Sequence, residues 1–160
     1  MNEFTKLSSA WIEWTGLARM PGVSVSTDCA DCAISFLSDD QSFHLRQDDG
    51  WWIVDRVDDR GQRHNDTAKF STFGLAEKYL IWRWASTTRN ALGVDSLGPQ
   101  LYSQGYSSDV RLVPTENEWR IELRSPAGNA ILSQPNSTIF SHLMSKSVDE
   151  IEQMVGEGIT

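Results

Sequence analysis

Residues Ala76–Leu92 read Ala-Glu-Lys-Tyr-Leu-Ile-Trp-Arg-Trp-Ala-Ser-Thr-Thr-Arg-Asn-Ala-Leu. This segment predicts a helix, because apolar residues recur along it at spacings of three and four. One stripe of this helix combines Phe73, Ala76, Leu80, Trp84, Thr87 and Ala91. The nearly opposite side carries Leu75, Tyr79 and Trp82. A helix that is apolar on two sides is expected to pack on a sheet and to be covered on its other side, either by the protein's own segments or by a partner.

The seven tryptophans give a second indication of extensive apolar contact. Neighbouring residues in a strand point to opposite faces, so Trp51 and Trp52 cannot both face one core. Trp82 and Trp84 point about 160° apart on the central helix at about 100° per residue. Either some of these rings lie at a second surface, where tryptophan favours partner binding, or the helix is covered on both sides within the protein. The sequence leaves both alternatives open.

Length and composition indicate one globular domain over residues 1–160. The chain has 160 residues, of which 39% are hydrophobic and 22% charged, which allows a sizeable core. Its net charge of −8 argues against a nucleic-acid partner and favours a basic protein partner, although solubility alone also explains the acidity. There is no signal peptide and no long apolar run, so we expect a cytoplasmic protein that does not contact membranes.

Few residues have the spacing of a catalytic or metal-binding site. Cys29 and Cys32 form a Cys-x-x-Cys pair, but a zinc site needs two further ligands, and the three histidines occur singly. We therefore expect two reduced, structural thiols, with no metal and no cofactor. His44 lies in an alternating strand pattern and is expected to point to water, whereas His142 is expected to be a structural histidine. The acidic pairs look like turn residues, and no nucleophile or phosphate-loop motif occurs, which favours a binding protein over an enzyme.

The order of predicted elements indicates an α+β fold. A first helix is expected over residues 3–15, and alternating segments between residues 23 and 70 predict an antiparallel meander. Further strand patterns between residues 110 and 132 predict a second meander after the central helix. Ser147 and Glu150 have the spacing of a capping box and begin a short final helix. We expect a curved antiparallel sheet built from two meanders, with one central helix packed on it and short N- and C-terminal helices.

The connection over residues 98–109 is our candidate for partner contact. It shows no clear periodicity, and long connections in compact domains are often functional. Its candidate contact residues are Tyr102, Gln104, Gly105, Tyr106 and Asp109. Tyrosine buries a large area with few rotatable bonds, and glycine lets a backbone approach closely. A disordered connector is the alternative, and the outer face of the first meander around His44, Arg46 and Trp51 or Trp52 is the alternative interface.

An ordered set of short motifs then resembles a known family. The set comprises Gly50-Trp51-Trp52, Ala76-Glu77-Lys78-Tyr79-Leu80, Arg89 with Leu92-Gly93, Trp119-Arg120, Gly128, Ser141-His142-Leu143-Met144 and Ser147-x-Asp149-Glu150-Ile151. Across residues 43–155 the chain resembles the immunity proteins of actinobacterial polymorphic toxin systems. The resemblance is in particular to the family of the immunity factor for the tuberculosis necrotizing toxin.

This resemblance implies an antitoxin without catalytic activity. Such a protein would bind an NAD-hydrolysing toxin domain one to one and block its active site, and the free protein would be a monomer. The alternative function is that of an acidic cytoplasmic secretion chaperone that binds an extended effector segment. A dimer that binds unfolded client chain would favour the chaperone, whereas a monomer that binds a folded enzyme would favour the inhibitor.

Overall fold

The computed structural model of the chain describes residues 3–159, with the side chain of residue 66 excepted. Its strands are β1 (Ser24–Ser26), β2 (Ile34–Leu37), β3 (Ser42–Asp48), β4 (Trp51–Val57), β5 (Arg63–Phe70), β6 (Arg111–Pro114), β7 (Arg120–Ser125) and β8 (Gly128–Ser133). Its helices are α1 (Thr5–Leu17), α2 (Phe73–Ala91), α3 (Gly98–Ser103), α4 (Asn136–Ser141) and α5 (Val148–Gly156).

The strands form one antiparallel sheet in the order β1-β2-β3-β4-β5-β8-β7-β6. The first meander therefore runs from β1 to β5, and the second from β6 to β8. The two are joined at a short seam, where Lys69 pairs with Ile131 and Phe70 with Ala130. The Ser71 amide extends this seam by donating to the Asn129 carbonyl at 2.8 Å. The predicted α+β fold with a curved sheet of two meanders is confirmed.

The central helix α2 is covered on both sides by the protein itself. The Thr72 hydroxyl caps its first turn by accepting from the Leu75 amide, and Gly93 ends it with a φ of 72°. The Trp84 ring packs against Trp11 and Phe36, with ring centroids 5.0 and 4.8 Å away. Trp82 and Trp84 are only 4% and 2% exposed. Because α1 and α5 pack on α2, neither of these rings remains for a partner.

A single arginine joins the end of α5 to α2. The Arg89 guanidinium is buried and donates to the carbonyl oxygens of Val155, Glu157 and Asp95 at 2.7, 2.6 and 2.9 Å. The last carbonyls of a helix have no partner within the helix and carry partial negative charge, so a cation at this position stabilises the end of α5. The positive charge of Arg89, which lies on the apolar helix α2, is thus stabilised by backbone carbonyl groups.

The structure departs from the sequence expectations in several helices, at the start of β5 and at the two cysteines. The predicted connection after α2 contains the short helix α3, and α4 is a further helix. Helix α1 is shifted two residues later than predicted, and β5 begins at Arg63. Cys29 and Cys32 are joined by a disulfide, so the expectation of two free thiols is wrong. The connection between β1 and β2 places the Cα atoms of these two cysteines 5.5 Å apart, a separation that permits the bond.

Candidate protein-binding surface

The segment from α3 to β6 presents its polar middle to solvent. Tyr102 on α3 is 47% exposed, and Gln104 and Gly105 are also exposed. Gly105 has a φ of 72°, a backbone conformation that favours glycine, and a side chain added there would meet no neighbouring atom. The backbone around Gly105 is therefore open to approach from outside.

Hydrogen bonds to α4 and its flanking residues fix this segment in place. The Tyr106 hydroxyl lies 3.0 Å from the Ser137 hydroxyl and accepts from the Gln134 amide nitrogen at 2.8 Å. The Ser107 amide donates to the Ser141 hydroxyl at 2.9 Å. His142 Nε2 lies 2.6 Å from the Gly105 carbonyl, which confirms the prediction of a structural histidine. The segment is an ordered element, and the alternative of a disordered connector is wrong.

A neighbouring turn holds a tryptophan out in solvent. Trp119 lies between β6 and β7 and is 76% exposed. The Thr115 hydroxyl donates to the carbonyls of Asn117 and Arg120, and the Trp119 amide donates to the Asn117 side chain at 2.9 Å. These bonds close the turn on itself, so the indole is displayed by a braced backbone.

The exposed tryptophan and the fixed segment share one depression. A cavity of about 250 Å³ is lined by Tyr106, Trp119, Gln134, Pro114, Ile121 and Leu132, among others. We define the Tyr106–Trp119 surface as Tyr102, Gln104, Gly105, Tyr106 and Trp119. Asp109, Glu116 and Glu118 are exposed on the same segment and turn and form an acidic rim, whereas Arg120 contributes a positive charge to the cavity lining. The surface combines aromatic anchors with an acidic rim, as protein-binding sites do.

A polar cluster lies on the face of the first meander that points away from the helices. The fully buried Asp55 carboxylate accepts from Arg46 Nε and Arg63 Nη2, each at 2.8 Å. Ser35, His44 and Asp55 are register partners across β2, β3 and β4. His44 Nδ1 is nevertheless buried and has no hydrogen-bond partner in the part of the chain that is described. No Ser-His-Asp relay is therefore assembled among these side chains.

His44 differs from its predicted environment. It faces away from the helices as expected, but it is only partly exposed. Burial and the nearby positive charge of Arg63 lower the pKa of the imidazole. The expectation that it points to open water is wrong, because the side chains of the neighbouring strands enclose it.

The sequence of the chain matches a known protein family. The model of the family described as immunity protein 61 matches residues 11–156. The chain belongs to the immunity protein 61 family. The predicted resemblance to immunity proteins is thus confirmed. No protein with a curated description matches the sequence.

A solved structure gives an independent comparison of the fold. Rv3902c from M. tuberculosis aligns with a TM-score of 0.69 over 92% of this chain and 87% of that chain. At 14% sequence identity, this similarity concerns the fold alone.

Across residues 3–159 no helix is both long and apolar enough to cross a membrane. No group of three or more metal-ligating side chains was found among those that are described.

Four of the five predicted contact residues of this immunity protein are exposed, and the fifth, Tyr106, is not. Tyr102, Gln104, Gly105 and Tyr106 belong to the Tyr106–Trp119 surface, and Asp109 lies next to it in sequence on the way to β6. Tyr106 is half-buried, so its hydroxyl anchors the segment rather than facing a partner. Trp119 is not among the predicted contact residues, although its position next to Asn117 and Glu118 is compatible with an exposed ring in a turn.

Proposed function

We propose that this immunity protein binds a cognate toxin domain through the Tyr106–Trp119 surface and blocks its active site without catalysing a reaction. Family membership supports the immunity role, and the exposure of Trp119 beside a fixed segment is the observation that supports this surface. An indole that is mostly exposed can bury most of its area in a partner, and tryptophan dominates many binding energies.

The fixation of the segment supports rapid and tight binding. Its hydrogen bonds to α4 keep Gln104 and Gly105 in one conformation before the partner arrives. A preorganised surface loses less conformational entropy on binding than a flexible loop. Asp109, Glu116 and Glu118 would meet a basic rim on the toxin and mainly accelerate association. Gln104 and Gly105 then form the part of the surface that enters the toxin's cleft.

The nature of the toxin rests on the sequence resemblance. That resemblance supports an NAD-hydrolysing toxin, in which the inserted segment would exclude the nucleotide. We further propose that one monomer binds one toxin domain, because the surface is a compact patch at one end of the sheet. The test requires a cognate toxin domain as the partner.

The test measures binding and residual toxin activity with purified variants. Trp119→Ala removes the exposed ring, and Gln104→Trp places bulk at the tip without requiring a positive φ. Ile12→Ala is the matched control, because Ile12 is an exposed apolar residue on α1 away from this surface. We expect Trp119→Ala to weaken binding by about 2–4 kcal/mol, which is roughly 30- to 1,000-fold, with an unchanged melting temperature.

Three outcomes separate the alternatives. Full inhibition by both surface variants would move the interface to the outer face around His44, Arg46 and Trp51. Inhibition of a toxin that does not hydrolyse NAD would refute only the proposed toxin class. A dimer that binds an unfolded segment and leaves a folded toxin active would favour the secretion chaperone instead.

A further inference from the structure

The two meanders separate beyond their short seam and leave a cleft. The first half of β5, which begins at Arg63, is not paired with β8, whose ladder partners in β5 are Lys69 and Phe70. At this opening lies a cavity of about 540 Å³. Phe43 and Tyr79 lie at its base, and its other lining groups include His64, Ser133 and Asn136.

Three arginines contribute to the lining of this cavity. Arg56 comes from β4, Arg83 from α2 and Arg120 from β7, so the cluster draws on both meanders and the central helix. We call these three residues and the cavity between them the arginine cleft. No carboxylate belongs to its described lining. Such a concentration of positive charge is unexpected in a chain with a net charge of −8.

The guanidinium groups of the arginine cleft lack partners within the described residues. Arg83 Nε is buried and makes no hydrogen bond there, and no ion pair within 4.0 Å reaches Arg56 or Arg120. The nearby Asp58 carboxylate already accepts from His64 and from the amides of Arg60 and Gln62. A buried guanidinium donor without an acceptor costs stability, so an acceptor from outside the chain would gain that energy on binding.

Tyr79, at the base of the cleft, lies close enough to two of its arginines to be affected by their charge. Burial raises the pKa of this phenol, and the charges of Arg83 and Arg56 act against that shift. Both arginines therefore act on the same buried point. The cavity has the volume of a small-molecule site, and planar guanidinium groups match phosphate oxygens well.

We propose that the arginine cleft binds the diphosphate group of a small molecule through Arg56, Arg83 and Arg120. Ser133 and Asn136 supply neutral donors at the rim, and the space beyond them accommodates an organic moiety. A concave cavity with its base on α2 favours a small ligand over the side chain of a protein partner. This site adjoins the proposed toxin contact, because Arg120 lines both the arginine cleft and the cavity beneath Trp119.

Isothermal titration calorimetry with inorganic pyrophosphate and with ADP, at matched low ionic strength, tests this proposal. We expect both probes to bind, and Arg83→Gln and Arg120→Gln each to weaken binding by about tenfold or more. Arg111→Gln is the matched control, because Arg111 is exposed on the edge strand β6, and it should stay within about twofold of wild type. Tighter binding of ADP than of pyrophosphate would show that the diphosphate group belongs to a nucleotide. Equal binding of the two probes would show that the cleft recognises the inorganic ion.

Two results would overturn the proposal. One is the absence of binding of both probes at millimolar concentration to the wild-type protein, whose folding is verified by thermal melting. The other is equal binding by wild type and Arg120→Gln, a rim variant that leaves the half-buried Arg83 in place. Weakened toxin binding by the arginine variants without any binding of the probes would assign the cleft to a carboxylate of the partner instead.

Discussion

Replacing Arg89 with methionine removes the link between α5 and α2 while keeping an apolar stem. The change leaves the carbonyls of Asp95, Val155 and Glu157 without their guanidinium donor. A hydrogen bond from a charged group contributes about 1.5–3 kcal/mol, which we count in full for the buried bond to Val155. The other two bonds are only partly buried, so water replaces them in part, at about 1 kcal/mol each. The free energy of unfolding should therefore fall by about 3–5 kcal/mol.

Urea unfolding followed by tryptophan fluorescence measures this loss. For a chain of this size, about 3–5 kcal/mol corresponds to a decrease of roughly 6–20 °C in melting temperature. Arg124→Met is the matched control, since Arg124 is exposed and pairs with Glu122 on the same strand. It should change stability by less than about 0.5 kcal/mol. A loss below about 1 kcal/mol for Arg89→Met, equal to that of the control, would refute the capping role of Arg89.

Two further predictions concern the polar face of the first meander. Asp55→Asn should lower the free energy of unfolding by about 3–5 kcal/mol in urea melts, because Arg46 and Arg63 lose a buried carboxylate. Asp48→Asn is its control at an exposed site, and equal effects of the two variants would contradict the prediction. Because the pKa of His44 is lowered in the folded state, the unfolded chain binds its proton more readily, so stability should fall as the pH drops through about 6.5. Urea melts at pH 7.5 and 5.5 should show a smaller pH effect in His44→Asn, and an unchanged effect would exclude this residue as the cause.

Local sequence patterns were enough to predict most of the fold. The capping box predicted from Ser147 and Glu150 is present, with the two reciprocal bonds at 3.1 and 3.0 Å. The cap at Thr72 and the stop at Gly93 are likewise local, since each depends on one residue type at one position. The apolar pattern of α2 required cover on both sides. It did not reveal that α1 and α5 provide that cover, because this depends on contacts between distant segments.

The functional features depend more on tertiary contacts than on local pattern. Helix α3 has no side-chain cap, and it lies in a segment that bonds with α4 rather than showing a periodicity of its own. The turn that displays Trp119 is closed by hydrogen bonds of Thr115 and Asn117, which residue types alone do not reveal. The arginines of the arginine cleft come from two strands and one helix that are distant in sequence, so no sequence spacing indicates the cleft. Tyr106 was predicted as a contact residue from its type, and the hydrogen bonds that anchor its hydroxyl are visible only in the structure.

The short seam between the meanders has a consequence for how the protein folds and opens. Each meander forms from strands that are neighbours in sequence, whereas the seam joins Lys69 and Phe70 to strand β8, far along the chain. Contacts between distant residues form late, because a long loop must first close. Substitution of Phe70 by leucine should therefore accelerate unfolding more than it slows folding. Opening at the seam would release β6–β8 as one unit, so amide exchange and proteolysis should reach the strands beside Trp119 before they reach β3 and β4.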